Sequence, residues 1–365
     1  MKPFVLLSID ALDFIQLLTV ERDLYKKFYV NPLYTPLGFS TGLHYVALSG
    51  NSQHKMRIWT LWKLNTYPGK MLQININKWV VMWALEKLIR KRYLPVLPPD
   101  LSPYFTFEDR FDPLRPHESK LPTLIDELIN HGFKIKIIIV KTLIQDIEKI
   151  VNAIFKPGFD VIVLTYSELD TLGHMRGRLT VDIRQRISNI LTLLKKLDER
   201  NIPFLLYSDH GMVPVVKAID ILKIISNIDY ILGIDYMISI ESTLVRLWYF
   251  NRNAREVGRI LREKLDFYLQ DVVNSENAYI YDVPIPSKEF GDEALVLKPG
   301  IILLPSFWLP TRAIPWKVPR GMHGYICKSG KGLNYHVCGS YISNVEQASS
   351  IYDIATKVKK VLGVT

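Results

Sequence analysis

Six residues of this chain are of types that hold divalent cations, and each sits beside a feature that could turn it toward a common site. Asp170 and His174 lie four apart in Tyr-Ser-Glu-Leu-Asp-Thr-Leu-Gly-His (166–174). Asp209 and His210 are adjacent in Ser-Asp-His-Gly-Met (208–212), where only a turn could make neighbouring side chains converge, and Gly211 would permit one. His323 stands between glycines in Gly-Met-His-Gly-Tyr (321–325), and Asp10 ends the first apolar run. Mixed Asp and His donors suit Zn²⁺, with Mn²⁺ or Fe as alternatives, better than Mg²⁺ or Ca²⁺, which favour oxygen. Three aspartates and three histidines suffice for two ions. Singly, each has a plainer reading, the Asp as a turn or cap residue and the His as a surface or core residue. Their shared chain order, strand-end placement and Gly neighbours favour the joint one.

A nucleophile is offered by Pro-Leu-Gly-Phe-Ser-Thr-Gly-Leu-His (36–44). Ser40 opens a predicted helix closed by Ser49-Gly50, and Thr41 is the runner-up. A hydroxyl there meets helix amides and a dipole that favour a phosphate oxygen. A cation in contact would lower its pKa. The plainer alternative is that Ser40 is only an N-cap.

Short β-branched runs alternating with amphipathic segments predict an α/β fold: a mostly parallel sheet with helices on both faces. Strands are expected at 4–9, 133–140, 160–166 and 203–207, and helices at about 143–155, 181–199 and 344–362. The runs ending at Asp10, Ser167 and Ser208 lead into the ligand motifs, where α/β sheets gather ligands. The catalytic core is expected in 1–56, 120–227 and 310–365. Residues 57–119, rich in Trp and Pro with little periodicity, read as an insertion or lid. Residues 228–309 read as an α+β cap insertion, with antiparallel strands such as 237–250 and 278–281 around a helix at 254–269.

The 365 residues are 48% hydrophobic and 22% charged, ordinary for a globular chain with a sizeable core. The net charge of +10 suits anionic ligands, but the basic residues are scattered, so no nucleic-acid partner follows. Cys327 and Cys338 are too few for a disulfide scaffold, and whether they pair stays open. No apolar stretch is long enough for a membrane span. The apolar N-terminal run reads as a core strand rather than an export signal, so a cytoplasmic location is expected. Oligomeric state is left undetermined.

The ordered motifs, Tyr-x-x-x-Asp-x-x-Gly-His, Ser-Asp-His-Gly-Met and Gly-x-His-Gly-Tyr, resemble the alkaline phosphatase superfamily and, within it, the type I phosphodiesterase and nucleotide pyrophosphatase branch. Resemblance covers about three quarters of the chain, including 239–250 and 290–305. It implies a doubly wound α/β core with an inserted cap. One ion would be held by Asp170, His174 and His323, and the other by Asp10, Asp209, His210 and the Ser40 oxygen. It implies attack of Ser40 on a small phosphate ester or nucleotide-like substrate, a covalent phosphoseryl intermediate, and its hydrolysis with net retention at phosphorus. In one place the chain departs from the branch. A His-Gly-Ile stretch leading to a phosphate-contacting Asn is here His54-Lys55-Met56-Arg57-Ile58-Trp59, so Asn65 or Arg57 would supply that contact, or phosphate is held otherwise. This bears on the diester assignment more than on the hydrolase class. Rival readings are a phosphomonoesterase, a phosphonate hydrolase, a phosphoglycerate mutase-like enzyme and, more weakly, a sulfatase. A non-catalytic binding protein that kept the fold is the alternative of a different kind, and it predicts lost ligands.

Overall fold

Phe4–Ile9 carries large apolar side chains on both faces, which only the middle of a covered sheet can bury. The computed structural model describes residues 2–90, 97–107, 114, 121–140, 147–154, 156–308, 318–327 and 335–364, excepting the side chains at 41, 86–90, 147 and 148. In it, Phe4–Ile9 pairs in parallel with Val161–Tyr166 on one side and Phe204–Tyr207 on the other. Ile135–Val140 extends the parallel set, and Gly339–Ser343 runs antiparallel between Phe204–Tyr207 and Tyr29–Leu33. The result is a mostly parallel six-stranded sheet.

Alternation along the first strand feeds two cores. Val5, Leu7 and Ile9 pack with Ile183, Ile187 and Ile190 of helix Val181–Glu199. Phe4 and Leu6 pack on the other face with Leu43 and Val46 of helix Ser40–Ser49, and with Ile354 and Val358 of helix Asp353–Leu362. The expected helix from 344 thus begins only at Asp353. Residues before it spend their amides elsewhere: Val345 and Glu346 donate to Ser343 Oγ, and Ile351 donates to the Tyr34 carbonyl. Of the helix expected at 143–155, Ile147–Ile154 is helical, while 143–146 and 155 lie outside the described residues.

A second, antiparallel sheet orders Tyr236–Glu241, Leu244–Tyr249, Glu293–Leu297 and Leu269–Val273, with Val257, Leu261 and Leu265 of helix Arg255–Leu265 in its core. The strand expected at 278–281 is instead a run of turns. Asn277 Oδ1 accepts from the Asn274 amide and Asn274 Oδ1 from the Glu276 amide, so local side chains take the place of a ladder partner. Within 57–119, Trp62–Leu64 pairs with Phe105–Phe107, and Ile76–Arg90 is helical. That helix escapes a periodicity reading because Trp79 and Trp83 are buried while Val81, Met82 and Leu85 are exposed, leaving apolar residues all round. Residues 91–96, 108–113 and 115–119 lie outside the described set. No helix among the described residues is long and apolar enough to cross a membrane.

Arg246, fully buried, ties the segment 57–119 to the segment 228–309. Its guanidinium donates to Glu241 (Nε to Oε1, 2.7 Å), to the Trp62 carbonyl (2.7 Å) and to Ser239 Oγ (3.1 Å), between the rings of Trp59 and Trp248. Removing one member of a buried pair strands the other charge. Arg246→Met is expected to lose about 3–5 kcal/mol of stability, with Glu241→Gln added on top restoring part of it. Denaturant unfolding of the single and double variants measures both.

Candidate metal centre and nucleophile

The six donor residues emerge from strand ends and loops that meet above the carboxyl edge of the parallel sheet. The Asp10 amide still pairs with the Tyr166 carbonyl at 2.9 Å, so the ladder aims Asp10 beside the next strand's exit. There helix Glu168–Arg176 sets Asp170 and His174 one turn apart. Its first turn is pinned by Glu168, which accepts from Tyr166 Oη at 2.6 Å and from Arg186 Nη2 at 2.9 Å.

Asp209 and His210 follow Phe204–Tyr207 after the single residue Ser208. Gly211 serves them differently from the expected turn, because its φ is not in the left-handed region. A Cβ there would lie 2.2 Å from the His336 carbonyl oxygen, so glycine is needed for the close passage of another chain segment. That segment ends at Cys338, which is disulfide-bonded to Cys327, Cα to Cα 5.1 Å, and so closes the pairing left open by the sequence. His323 is followed by Gly324 at φ +87°, a left-handed position that favours glycine.

All six donors converge. His174 Nε2 and His323 Nε2 lie 3.2 and 3.5 Å from Asp170 Oδ1, and His210 Nε2 lies 3.3 Å from both Asp10 Oδ1 and Asp209 Oδ2. His210 is central, since its donor atom falls within 4.8 Å of those of Asp170 and His323 as well as those of Asp10 and Asp209. Its ring stacks on His323 with centroids 3.8 Å apart. His174 Nδ1 and His210 Nδ1 each lie 2.9 Å from a carbonyl, of Gly321 and Gly211, to which each donates its proton, so both Nε2 lone pairs face the cluster.

This donor set fits cations. Asp10 Oδ1, Asp170 Oδ1 and Asp209 Oδ2 are buried with no hydrogen-bond donor among the described residues, an arrangement costly for anions unless positive charge joins them. The electrostatics agree. Burial, then the charges of Asp209 and Asp170, push the Asp10 carboxyl well up from its usual range. Burial, then the neighbouring His210, pushes His323 well down, so its neutral, ligating form is favoured. For Asp170, burial opposes ionisation, yet His174 first and then His323 and His210 together hold its carboxyl well below the usual range. Burial also opposes charge on His174, but Asp170 and the Gly321 carbonyl outweigh it and raise its pKa.

Ser40 is the first helical residue and Phe39 occupies the cap position, so Ser40 is not the N-cap. Phe39 has no side-chain acceptor, which leaves the first-turn amides uncapped. Ser40 Oγ lies 2.8 Å from His210 Nε2 and donates to it, given the tautomer above. The Thr41 side chain lies outside the described residues. Arg57 directs its guanidinium to Glu289 at 2.8 Å, and Asn65 sits exposed just past the strand Trp62–Leu64, its amide donating to the Tyr104 carbonyl. Trp59, at the position of the expected Asn, is buried against Phe290. Beside Asp10 a cavity of about 150 Å³ opens, lined in part by Ser8, His44, Thr165 and Tyr207. His44, one helical turn beyond Ser40, carried no assignment in the sequence; its i+4 spacing was the available signal.

The sequence profile of the family described as Type I phosphodiesterase / nucleotide pyrophosphatase matches residues 51–325, well over half of the chain. No curated protein sequence matches. Among solved structures, murine ectonucleotide pyrophosphatase/phosphodiesterase 5 superposes with a TM-score of 0.66 at 15% identity, covering 100% of this chain and 96% of that one, both alone and as an inactive variant in complex with AMP. Its human counterpart gives 0.65 at 14% identity, covering 100% and 95%. At such identity the likeness is one of fold.

Proposed function

Because the chain belongs to the type I phosphodiesterase/nucleotide pyrophosphatase family, and is thus a phosphoric ester hydrolase, we propose that it cleaves a phosphodiester or nucleotide-type pyrophosphate with Ser40 as nucleophile at a two-cation centre. The observation that carries this reading is the position of Ser40 Oγ, 2.8 Å from His210 Nε2, at an uncapped helix start beside a cluster with three buried carboxylate oxygens that lack a donor among the described residues.

Asp170, His174 and His323 would hold one ion, and Asp10, Asp209, His210 and Ser40 Oγ the other, with Zn²⁺ best suited to the donors and Mn²⁺ or Fe next. Bound there, the ions would lower the pKa of hydroxyl and water and offset phosphoryl charge. The protein's own groups do the rest. Backbone N–H groups of the first turn after Phe39 receive a non-bridging phosphoryl oxygen, aided by the helix dipole. Ser40 Oγ attacks phosphorus in line with the leaving oxygen, forming a phosphoseryl ester as that bond breaks. Water then attacks from the vacated side and frees Ser40, so two inversions retain configuration. Arg57 is paired with Glu289 and Trp59 is buried, so the helix amides, with Asn65 as the remaining side-chain candidate, would take the share of phosphate binding that the family's Asn supplies.

The nucleotide-like character of the substrate is supported by family membership and by the AMP held by the murine relative in fold. Initial rates on bis(p-nitrophenyl) phosphate and p-nitrophenyl phosphate test the choice. The diester is expected to have the larger kcat/KM. A monoester preference would overturn the diesterase reading.

A further inference from the structure

His44 stands four residues after Ser40, on the same face of the helix Ser40–Ser49. It is not one of the six donors, yet its ring lies between one of them and two buried hydroxyls. Nε2 is 3.6 Å from Asp209 Oδ2. Nδ1 is 3.3 Å from Ser8 Oγ and 3.5 Å from Tyr207 Oη, and the ring meets the Tyr207 ring edge-on with centroids 6.0 Å apart. Ser8 and Tyr207 are themselves buried. Either hydroxyl can donate to Nδ1, and in that tautomer the imidazole proton lies on Nε2. That proton points at Asp209 Oδ2, a carboxylate oxygen that has no other donor among the described residues.

We propose that His44 is a positioning residue: through Nε2–H it orients the Asp209 carboxylate toward the cation on the nucleophile side, and it ties that ligand to the helix carrying Ser40. The proposal rests on the reading of Asp209 as a metal ligand. At 3.6 Å the contact is longer than a formed hydrogen bond. Asp209 Oδ2 also lies 3.3 Å from His210 Nε2. Metal-ligating carboxylates are characteristically held by an outer donor, and loss of such donors weakens metal binding about 10–100-fold. Here the donor comes from the nucleophile's own helix. Ser40 and Asp209, 169 positions apart in the chain, are thereby kept in register by one imidazole.

The test compares His44→Leu, His44→Gln and His44→Asn. A Gln amide nitrogen reaches about the place of Nε2 and can donate to Asp209, whereas an Asn amide stops near Nδ1. Zinc affinity is measured by competition with a chromogenic chelator, and ligand geometry by the visible spectrum of the Co²⁺-substituted protein. The wild type is expected to bind two equivalents. His44→Leu and His44→Asn are expected to weaken one equivalent about 10–100-fold, leave the other unchanged and alter the Co²⁺ bands, and His44→Gln to recover most of the affinity. Thermal unfolding of the metal-free variants checks the fold, and the Gln–Asn pair carries the comparison if the Leu variant does not fold. Wild-type affinity and spectrum in His44→Leu, or Gln behaving like Asn, would overturn this proposal alone. A wild type that binds no stoichiometric zinc would overturn the two-cation reading, and this proposal with it.

Discussion

Ser40→Ala is expected to lower kcat on the preferred phosphodiester by about 10⁴-fold or more, while the metal content and unfolding temperature stay near those of the wild type. The size follows from its role: if Ser40 Oγ forms the bond to phosphorus, Ala leaves no atom at that position to form it. Metal retention is expected from the donor count, since Asp10, Asp209 and His210 would remain to hold the nucleophile-side ion. Steady-state kinetics with elemental analysis of the same preparation checks both halves. Activity near the wild-type level would transfer the nucleophile to Thr41 or to water. Rapid-quench trapping of a phosphoprotein in the wild type, absent from the variant, is the matching positive result.

Removal of metal should have an effect of similar size. Exhaustive chelation is expected to abolish turnover, and Zn²⁺ or Mn²⁺ to restore it. It should also lower the unfolding temperature, because an ion bound only by the folded chain stabilises by RT ln(1 + [L]/Kd), about 4 kcal/mol at a thousandfold excess over Kd. The sign of the pH dependence can be worked out. In the stripped protein the Asp10 carboxyl is raised, so the folded state binds a proton more tightly there than the unfolded chain does. Stability of the stripped form therefore falls as pH rises from the ordinary carboxyl range toward that raised value. Asp170 is depressed, and its stabilising contribution is lost only on acidification below the ordinary carboxyl range. Binding of cations displaces protons from the same donors and strengthens as pH rises. The gap in unfolding temperature between loaded and stripped protein should accordingly widen between about pH 5 and pH 7. If full activity survives in protein shown by elemental analysis to be metal-free, the Ser40–His210 hydrogen bond is the working unit and His210 acts as a general base, not a ligand.

Much of the frame was legible in the residues. Phe4–Ile9, Val161–Tyr166 and Phe204–Tyr207 are buried on both faces and so read as unbroken apolar runs, and the break in each run marked where polar donors begin. The helix Val181–Glu199 declared itself because one stripe of Ile and Leu faces a single core. Where local chemistry competed with pattern, expectation failed. Asn274 and Asn277 bend 275–282 into turns despite the apolar run 278–281, and Ser343 takes the amides that a helix from 344 would have needed.

What the sequence determined by itself is the kinds of donor, their order, and the strand ends and turns from which they project. These depend on side-chain chemistry and on periodicities that run over a few residues. Only the tertiary structure decided that His210 sits within reach of both halves of the centre, that Gly211 is needed for the passage of His336 rather than for a turn, that Cys327 and Cys338 pair, and that His44 faces Asp209. Each of these joins segments that lie apart in the chain, and their meeting is set by how sheet, helices and returning loops pack, which no local pattern encodes.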